Sequence, residues 1–237
     1  MYTMKWHSWL SEIDREQWNA LADQVNTPLL EWEWLNRMEE SGSMTPDTGW
    51  YPRHLTVWQG DELVAAAPLY IKTHSMGEFV FDFAWADVAR QIGASYYPKM
   101  VGTVPATPAV AYRFLIDDEL DTAEMTEQMV TEIHRYCREN DIHGTSFLFV
   151  DPEFKPYLEE LDFIGWYHQN FMWTNPGYES FDEYLADFSK NQRRNIRRER
   201  RAMDDQDVTF RALTGEDIPD EYLDLMYDYY VNTNAQF

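Results

Sequence analysis

Tyr51-Pro52-Arg53-His54-Leu55-Thr56-Val57-Trp58-Gln59-Gly60-Asp61-Glu62-Leu63-Val64-Ala65-Ala66-Ala67-Pro68-Leu69-Tyr70-Ile71-Lys72-Thr73 is the stretch that decides the fold. Two runs rich in β-branched, aromatic and small apolar residues, 51–59 and 62–73, flank Gly60-Asp61. That pair supplies the backbone freedom of a two-residue hairpin turn. Upstream, residues 3–10 read as a strand carrying Trp6 and Trp9. Asp14 to Gln24 reads as a helix with Trp18, Leu21, Ala22 and Val25 at helical spacing. Leu29 to Ser41 reads as a second helix, stopped by Gly42. Downstream, residues 75–108 look irregular, and Ala111 to Asp117 returns as a strand. A helix over Asp121 to Asn140 opens with a capping box, Asp121 and Glu124, and lines Met125, Met129, Ile133 and Cys137 along one stripe. Gly144 to Asp151 reads as a strand, Glu153 to Asp162 as a short helix and Trp166 to Thr174 as a strand.

The Asn175-Pro176-Gly177 break ends this series. A second capping box, Ser180 and Glu183, then opens a helix expected to run to about Met203. A short strand, Val208 to Leu213, and a helix begun by Pro219 follow. Helices, an antiparallel meander and then α-β-α-β resemble the order of the GNAT acyltransferase fold. The expected class is α/β (α+β), a mixed, mostly antiparallel sheet flanked by helices, over residues 1–177. Residues 178–237 are expected to be the opening part of a second such domain.

The chain has 237 residues, 44% hydrophobic and 16% aromatic, which is core-forming composition. Its apolar run Leu63 to Ile71 is too short for a membrane-spanning helix. Met1 to His7 shows no charged-then-apolar leader, so a cytoplasmic location is expected. One cysteine, Cys137, excludes an internal disulfide and a cysteine-based zinc site; it reads as a core residue. The histidines His134, His143 and His168 have no ligand spacing, and no metal site is expected. The 42 Asp and Glu against 19 Lys and Arg give a net charge of −23, which repels nucleic acid and anionic membranes on average. Such a surface suits a salt-rich, halophilic cytoplasm or an ordinary acidic protein; the scarcity of lysine favours the first.

One segment breaks this average. Lys190 to Arg201 reads KNQRRNIRRERR, with seven cations and one acid. On a continuous helix from Ser180 the apolar residues Phe181, Tyr184, Leu185, Phe188, Ile196 and Met203 share one arc and the cations the opposite one. That face is a natural phosphate site, with Arg193, Arg194, Arg197 and Arg198 as the candidates. The bland alternative pairs the arginines with Asp220, Glu221, Asp224 and Asp228. Calmodulin-like or membrane binding, and nucleic-acid binding, are weaker alternatives.

The 75–108 segment carries Phe79, Phe81, Phe83, Trp85, Tyr96 and Tyr97 beside His74, Glu78, Asp82, Asp87 and Lys99. So aromatic a connection must bury its rings or bind with them. Amide-forming acyl transfer needs a base, an oxyanion donor and a shaped pocket. Glu78 is the first choice of base, with Asp82 and His74 next. Tyr96 or Tyr97 could give a proton, and Trp85 and Lys99 would line the acceptor site. The bland alternative makes these ordinary loop and core residues. Arg90-Gln91-Ile92-Gly93-Ala94 faintly echoes a pyrophosphate-gripping loop, but it precedes the expected strand. The stretch that should hold that loop, Ile116-Asp117-Asp118-Glu119-Leu120-Asp121, is acidic and lacks glycine. The first domain is therefore not expected to hold acetyl-CoA in the usual way.

Gly49-Trp50-Tyr51-Pro52-Arg53-His54-Leu55, the run Ala67 to Asp82 with His74-Ser75-Met76-Gly77-Glu78, Tyr96-Tyr97-Pro98-Lys99-Met100, Pro105-Ala106-Thr107-Pro108, Gln169-Asn170-Phe171-Met172-Trp173-Thr174-Asn175-Pro176-Gly177-Tyr178 and the Arg193 to Arg201 run carry a resemblance. Together they resemble the FemAB-like N-acyltransferases, a GNAT-superfamily group of peptidoglycan biosynthesis or recognition type. The resemblance implies tandem GNAT-like domains with a substrate site between them, and it adds Thr107 and Tyr178 to the substrate-binding residues. It implies an activated donor, acyl-CoA or aminoacyl-tRNA, with no tightly bound cofactor. The acceptor would be an amine on a small molecule or cell-wall precursor. Family members continue past the final helix. The chain is therefore expected to be a fragment or a shortened homologue, completed by a missing C-terminal half, a partner or a second copy. In that event it could serve as a non-catalytic binding or assembly module.

Overall fold

The computed structural model describes every residue except Met1, Asn26, Asn170, Asp207, Gln236 and Phe237. The Asn170 of the quoted motif therefore lies outside the described residues. The chain divides into two compact units, residues 1–167 and 168–237.

In the first unit, β1 (Thr3–His7) precedes α1 (Arg15–Ala22) and α2 (Trp32–Glu40). Asp14 caps α1 by accepting from the Gln17 N–H, and Trp18, Leu21 and Ala22 are its buried face. The expected hairpin forms, but each arm is split. One arm is β2 (Trp50–Pro52) and β3 (His54–Gln59); the other is β4 (Glu62–Ala67) and β5 (Leu69–Lys72). Pro68 cannot donate to a ladder, so the pairing breaks there. The Arg53 N–H carries it across the break by donating to the Leu69 carbonyl at 2.8 Å. Two four-stranded sheets result, ordered β1-β3-β4-β7 and β2-β5-β6-β8. Here β6 is Lys99–Gly102, β7 is Leu115–Ile116 and β8 is Thr145–Phe147. The pairs are antiparallel except β6 with β8, which is parallel.

Residues 75–108 are more ordered than their composition suggests. They contain α3 (Phe83–Gln91) as well as β6. The helix buries none of its side chains, so it left no core-facing stripe to read. Next, α4 (Thr122–Glu139) is capped by Asp121 and packs Met125, Met129, Ile133 and Cys137 inward. A short α5 (Lys155–Glu159) follows β8. Within the core, His54 Nδ1 accepts from the Leu69 N–H at 3.2 Å, which makes Nε2 the protonated nitrogen. It donates to Glu39 at 2.7 Å, and the other Glu39 oxygen accepts from the Leu10 N–H at 2.8 Å. This pair ties α2, the hairpin and the N-terminal segment together.

In the second unit, α6 (Phe181–Ala186), α7 (Lys190–Asp204) and α8 (Asp220–Asn234) are the helices. The single long helix expected from Ser180 is two helices. Ser189 recaps the chain, its side chain accepting from the Gln192 N–H while Gln192 answers to the Ser189 N–H. The apolar arc is therefore shared between two helices. The expected strands at 166–174 and 208–213 are absent among the described residues. Their hydrophobic residues, including Tyr167, Met172, Trp173 and Phe210, are exposed rather than laid on a sheet.

Candidate functional site

Across the second sheet, Trp50 of β2, Lys72 of β5 and Lys99 of β6 sit in one row of the register. Two lysines facing each other across a ladder repel, and both are buried, at 0% and 2% exposure. The molecule answers each cation separately. Lys72 Nζ sits 3.6 Å from the centroid of the Trp50 ring and donates to the Met76 carbonyl at 3.1 Å. Lys99 Nζ donates to Glu78 at 2.7 Å, Asp82 at 2.6 Å and Ser75 Oγ at 2.9 Å.

The segment after β5 delivers these partners. It leaves the sheet at His74, whose ring lies against Gly49. A Cβ at Gly49 would meet His74 Nε2 at 2.1 Å, and Gly49 also holds φ at +76°, so only glycine fits. His74 Nδ1 accepts from the Met76 N–H at 3.2 Å, which tightens the turn. Phe79 then takes a left-handed φ of 57°, its ring turned to solvent while Glu78 is buried. Backbone strain of this kind concentrates at functional sites.

Tyr96 and Tyr97, half-buried, extend the cluster outward. Tyr96 donates to Asp82 Oδ2 at 2.7 Å, and Tyr97 OH lies 2.7 Å from Ser75 Oγ. An unbroken hydrogen-bonded chain runs from buried Glu78 through Lys99 and Asp82 to the Tyr96 hydroxyl. Two buried carboxylate oxygens, Glu78 Oε1 and Asp82 Oδ1, have no hydrogen-bond partner among the described residues. Buried polar atoms without a partner are rare and costly, which sets this cluster apart from an ordinary interior ion pair.

The electrostatics separate the acids. Burial pushes the Glu78 carboxyl above its usual range, and the Lys99 hydrogen bond only partly offsets it. Asp82 feels burial too, but hydrogen bonds from Lys99, Ser75 and Tyr96 outweigh it and hold its carboxyl low. Burial brings Lys72 down to about 8, with Glu78 opposing and Lys99 assisting that shift. Burial and then Asp82 push the Tyr96 hydroxyl well up. His74 is lowered by burial and then by Lys72. Two adjacent carboxyls with opposed shifts are the arrangement by which one stays ionised while the other exchanges a proton.

Glu78, Asp82, Lys99, Tyr96 and Tyr97 thus converge, with His74 at the turn that begins the segment. Trp85 lies on exposed α3 and packs edge-on against Trp166. Thr107 donates to the Pro105 carbonyl at 3.0 Å. Neither touches the cluster. The echo at 90–94 is the end of α3, with Arg90 paired to Asp87 at 2.9 Å. Lys72, Ser75 and Trp50 were missed as site residues. The available signal was lysine scarcity, since three of only five lysines, Lys5, Lys72 and Lys99, lie in strands within two residues of an aromatic ring.

In the second unit Tyr178 lines an open cavity of about 430 Å³ with Trp173, Asn175, Glu179, Ser180, Phe181 and Tyr184. Arg193 closes the end of α6, donating to the Ala186 and Phe188 carbonyls at 2.9 and 2.8 Å. Arg197 pairs with Asp182 at 3.1 Å, and Arg200 stacks on Phe181 at 4.2 Å. Among the described residues no carboxylate pairs with Arg194 or Arg198, and none on α8 pairs with α7. No group of His, Cys, Asp and Glu suited to a metal occurs among the described residues, and no described helix is long and apolar enough to cross a membrane.

A family model described as peptidoglycan biosynthesis/recognition, FemAB-like, matches residues 9–237. No curated protein matches the sequence significantly. Among solved structures, an aminoglycoside antibiotic 6'-N-acetyltransferase from Acinetobacter baumannii is 13% identical, with a TM-score of 0.45 over 75% of this chain and 100% of that one. A glucosamine-6-phosphate N-acetyltransferase from Arabidopsis thaliana is 12% identical, with a TM-score of 0.40 over 73% and 99%. A GCN5-related N-acetyltransferase from Ralstonia eutropha JMP134 is 8% identical, with a TM-score of 0.41 over 74% and 98%. Likenesses this remote carry no argument about the site.

Proposed function

The chain belongs to the FemAB-like family, and from that premise we propose that it works in N-acyl transfer, moving an acyl or aminoacyl group from an activated donor to an amine. The observation that carries this reading is the Lys99 cluster, with its opposed carboxyls and their two unpartnered oxygens. An amine attacks an acyl carbon only after losing a proton, and the acceptor must be held while it does so. Glu78 is the proton sink. Its side chain is sealed from solvent, so the proton reaches it along the hydrogen-bonded chain from half-buried Tyr96 through Asp82 and Lys99. Asp82 is the carboxylate bonded to Tyr96 and the second candidate to take the proton itself. Lys99 holds both acids in register. His74, Trp85, Tyr97 and Thr107 are the further residues proposed for the acceptor side.

The donor is an acyl-CoA or an aminoacyl-tRNA, and both carry phosphates. Arg194 and Arg198 are the candidate arginines that no carboxylate pairs with among the described residues, with Arg193 and Arg197 set beside them by their own contacts. The acceptor is an amine on a small molecule or cell-wall precursor. The test is a panel of acyl-CoAs and aminoacyl-tRNAs against amine acceptors, read by mass spectrometry. An acyl mass increment should appear with the native chain and vanish in a folded Glu78→Gln variant. Native-like turnover by Glu78→Gln removes Glu78 from the mechanism.

A second reading, a binding or assembly module, rests on α8. Its Tyr222, Leu225, Tyr229 and Tyr230 are 40% to 66% exposed. Light scattering separates the two: an obligate dimer favours assembly, a monomer that turns over favours the enzyme.

A further inference from the structure

The open cavity of the second unit has walls unlike those of a phosphate or sugar site. Trp173, Tyr178, Phe181 and Tyr184 line it, and three of these rings pack on the fourth: Trp173, Tyr178 and Phe181 lie 5.6, 5.7 and 5.8 Å from Tyr184, centroid to centroid. Its volume of about 430 Å³ lies within the range of small-molecule sites. No lysine or arginine lines it, and its one charged lining residue is the acid Glu179.

The neutral polar groups are largely committed. Asn175 Oδ1 accepts from the Gly177 and Tyr178 N–H groups, and its amide donates to the Tyr178 carbonyl. The Tyr178 hydroxyl is bonded to Asp187, and Ser180 Oγ accepts from the Glu183 N–H. A sugar, which needs several directional partners, finds few. The Phe181 ring already carries Arg200; what remains is the wall formed by Trp173, Tyr178 and Tyr184, and Glu179, whose carboxylate has no hydrogen-bond or ion-pair partner among the described residues. Ring faces carry negative charge density, and beside a carboxylate they favour an organic cation. The chain itself demonstrates the affinity: the Arg200 guanidinium rests 4.2 Å from the centroid of Phe181.

We propose that this cavity binds an organic ammonium group, with Trp173 and Tyr184 as the principal rings and Glu179 as the counter-charge. The site stands on the second unit alone and does not depend on Glu78 acting as a base. The probe is choline, titrated into the full chain and followed by tryptophan fluorescence and by the Trp173 indole NMR signal. Its neutral carbon isostere, 3,3-dimethyl-1-butanol, is the control. Choline should bind saturably and perturb Trp173. The isostere should bind roughly tenfold more weakly, the scale of one cation–π contact with a counter-charge. Glu179→Gln, a substitution at an exposed side chain, should weaken choline several-fold with circular dichroism unchanged; Trp173→Ala should abolish binding. Equal affinity for choline and the isostere, tighter binding of N-acetylglucosamine than of choline, or an unaltered choline affinity in Glu179→Gln each overturns the proposal. Failure of Glu78→Gln to affect acyl transfer would leave it untouched.

Discussion

The two units hold their cations in opposite ways. In the first, Lys72 and Lys99 lie inside a sheet, where each needs its own compensation: a ring and a carbonyl for one, two carboxylates for the other. In the second, the arginines of α7 lie in solvent, on a unit whose described residues include just one buried hydrophobic side chain, Leu185. A buried charge ties its partners to one geometry and alters their protonation. An exposed charge does little for the fold and stays available to a ligand. On the reading proposed above, the proton chemistry belongs to the first unit and anion recognition to the second.

The sharpest way to break the contrast is to remove one cation from each side. Lys99→Met strands two buried carboxylates, and urea denaturation should report a loss of about 3–5 kcal/mol. Arg198→Gln should stay within about 0.5 kcal/mol of the parent. Similar costs for the two substitutions would mean that Lys99 is no more embedded than a surface charge.

The second prediction concerns Lys72. Below pH 8 it is protonated both folded and unfolded, and the full cost of holding a buried ammonium is present. Between about 8, its folded value, and 10.5, the ordinary one, the unfolded chain binds more protons, so stability rises with pH. The difference between the native and Lys72→Met stability curves should change by about 2–3 kcal/mol across that window. Parallel curves would show that Lys72 titrates normally.

A smaller effect is expected on the arginine side. Arg194→Gln with Arg198→Gln should weaken coenzyme A binding by roughly tenfold at low salt and flatten its salt dependence. An unchanged affinity would assign donor recognition elsewhere.

The hairpin, α1, α2 and α4 were legible because each has a buried face that repeats with its own period, as with Trp18, Leu21 and Ala22, and Asp14 and Asp121 mark the starts of α1 and α4. α3 was not, because it buries nothing. The break at Asp187–Ser189 was hidden by arcs that align on a wheel whether or not the helix is continuous. At the site, Glu78, Asp82 and Lys99 could be named from one aromatic segment. Their convergence needed the β5–β6 register, and Lys72 escaped notice because a lysine ending an apolar strand reads as its exposed tip.

The most direct test of the central claim is a carbon-13 NMR titration of the side-chain carboxyl of Glu78, assigned by comparison with Glu78→Gln. The account predicts that this signal titrates above the ordinary glutamate value of 4.5, because burial outweighs its bond to Lys99. A Glu78 signal that titrates at or below that value would contradict it, leaving the cluster as a plain interior ion pair with no proton to exchange.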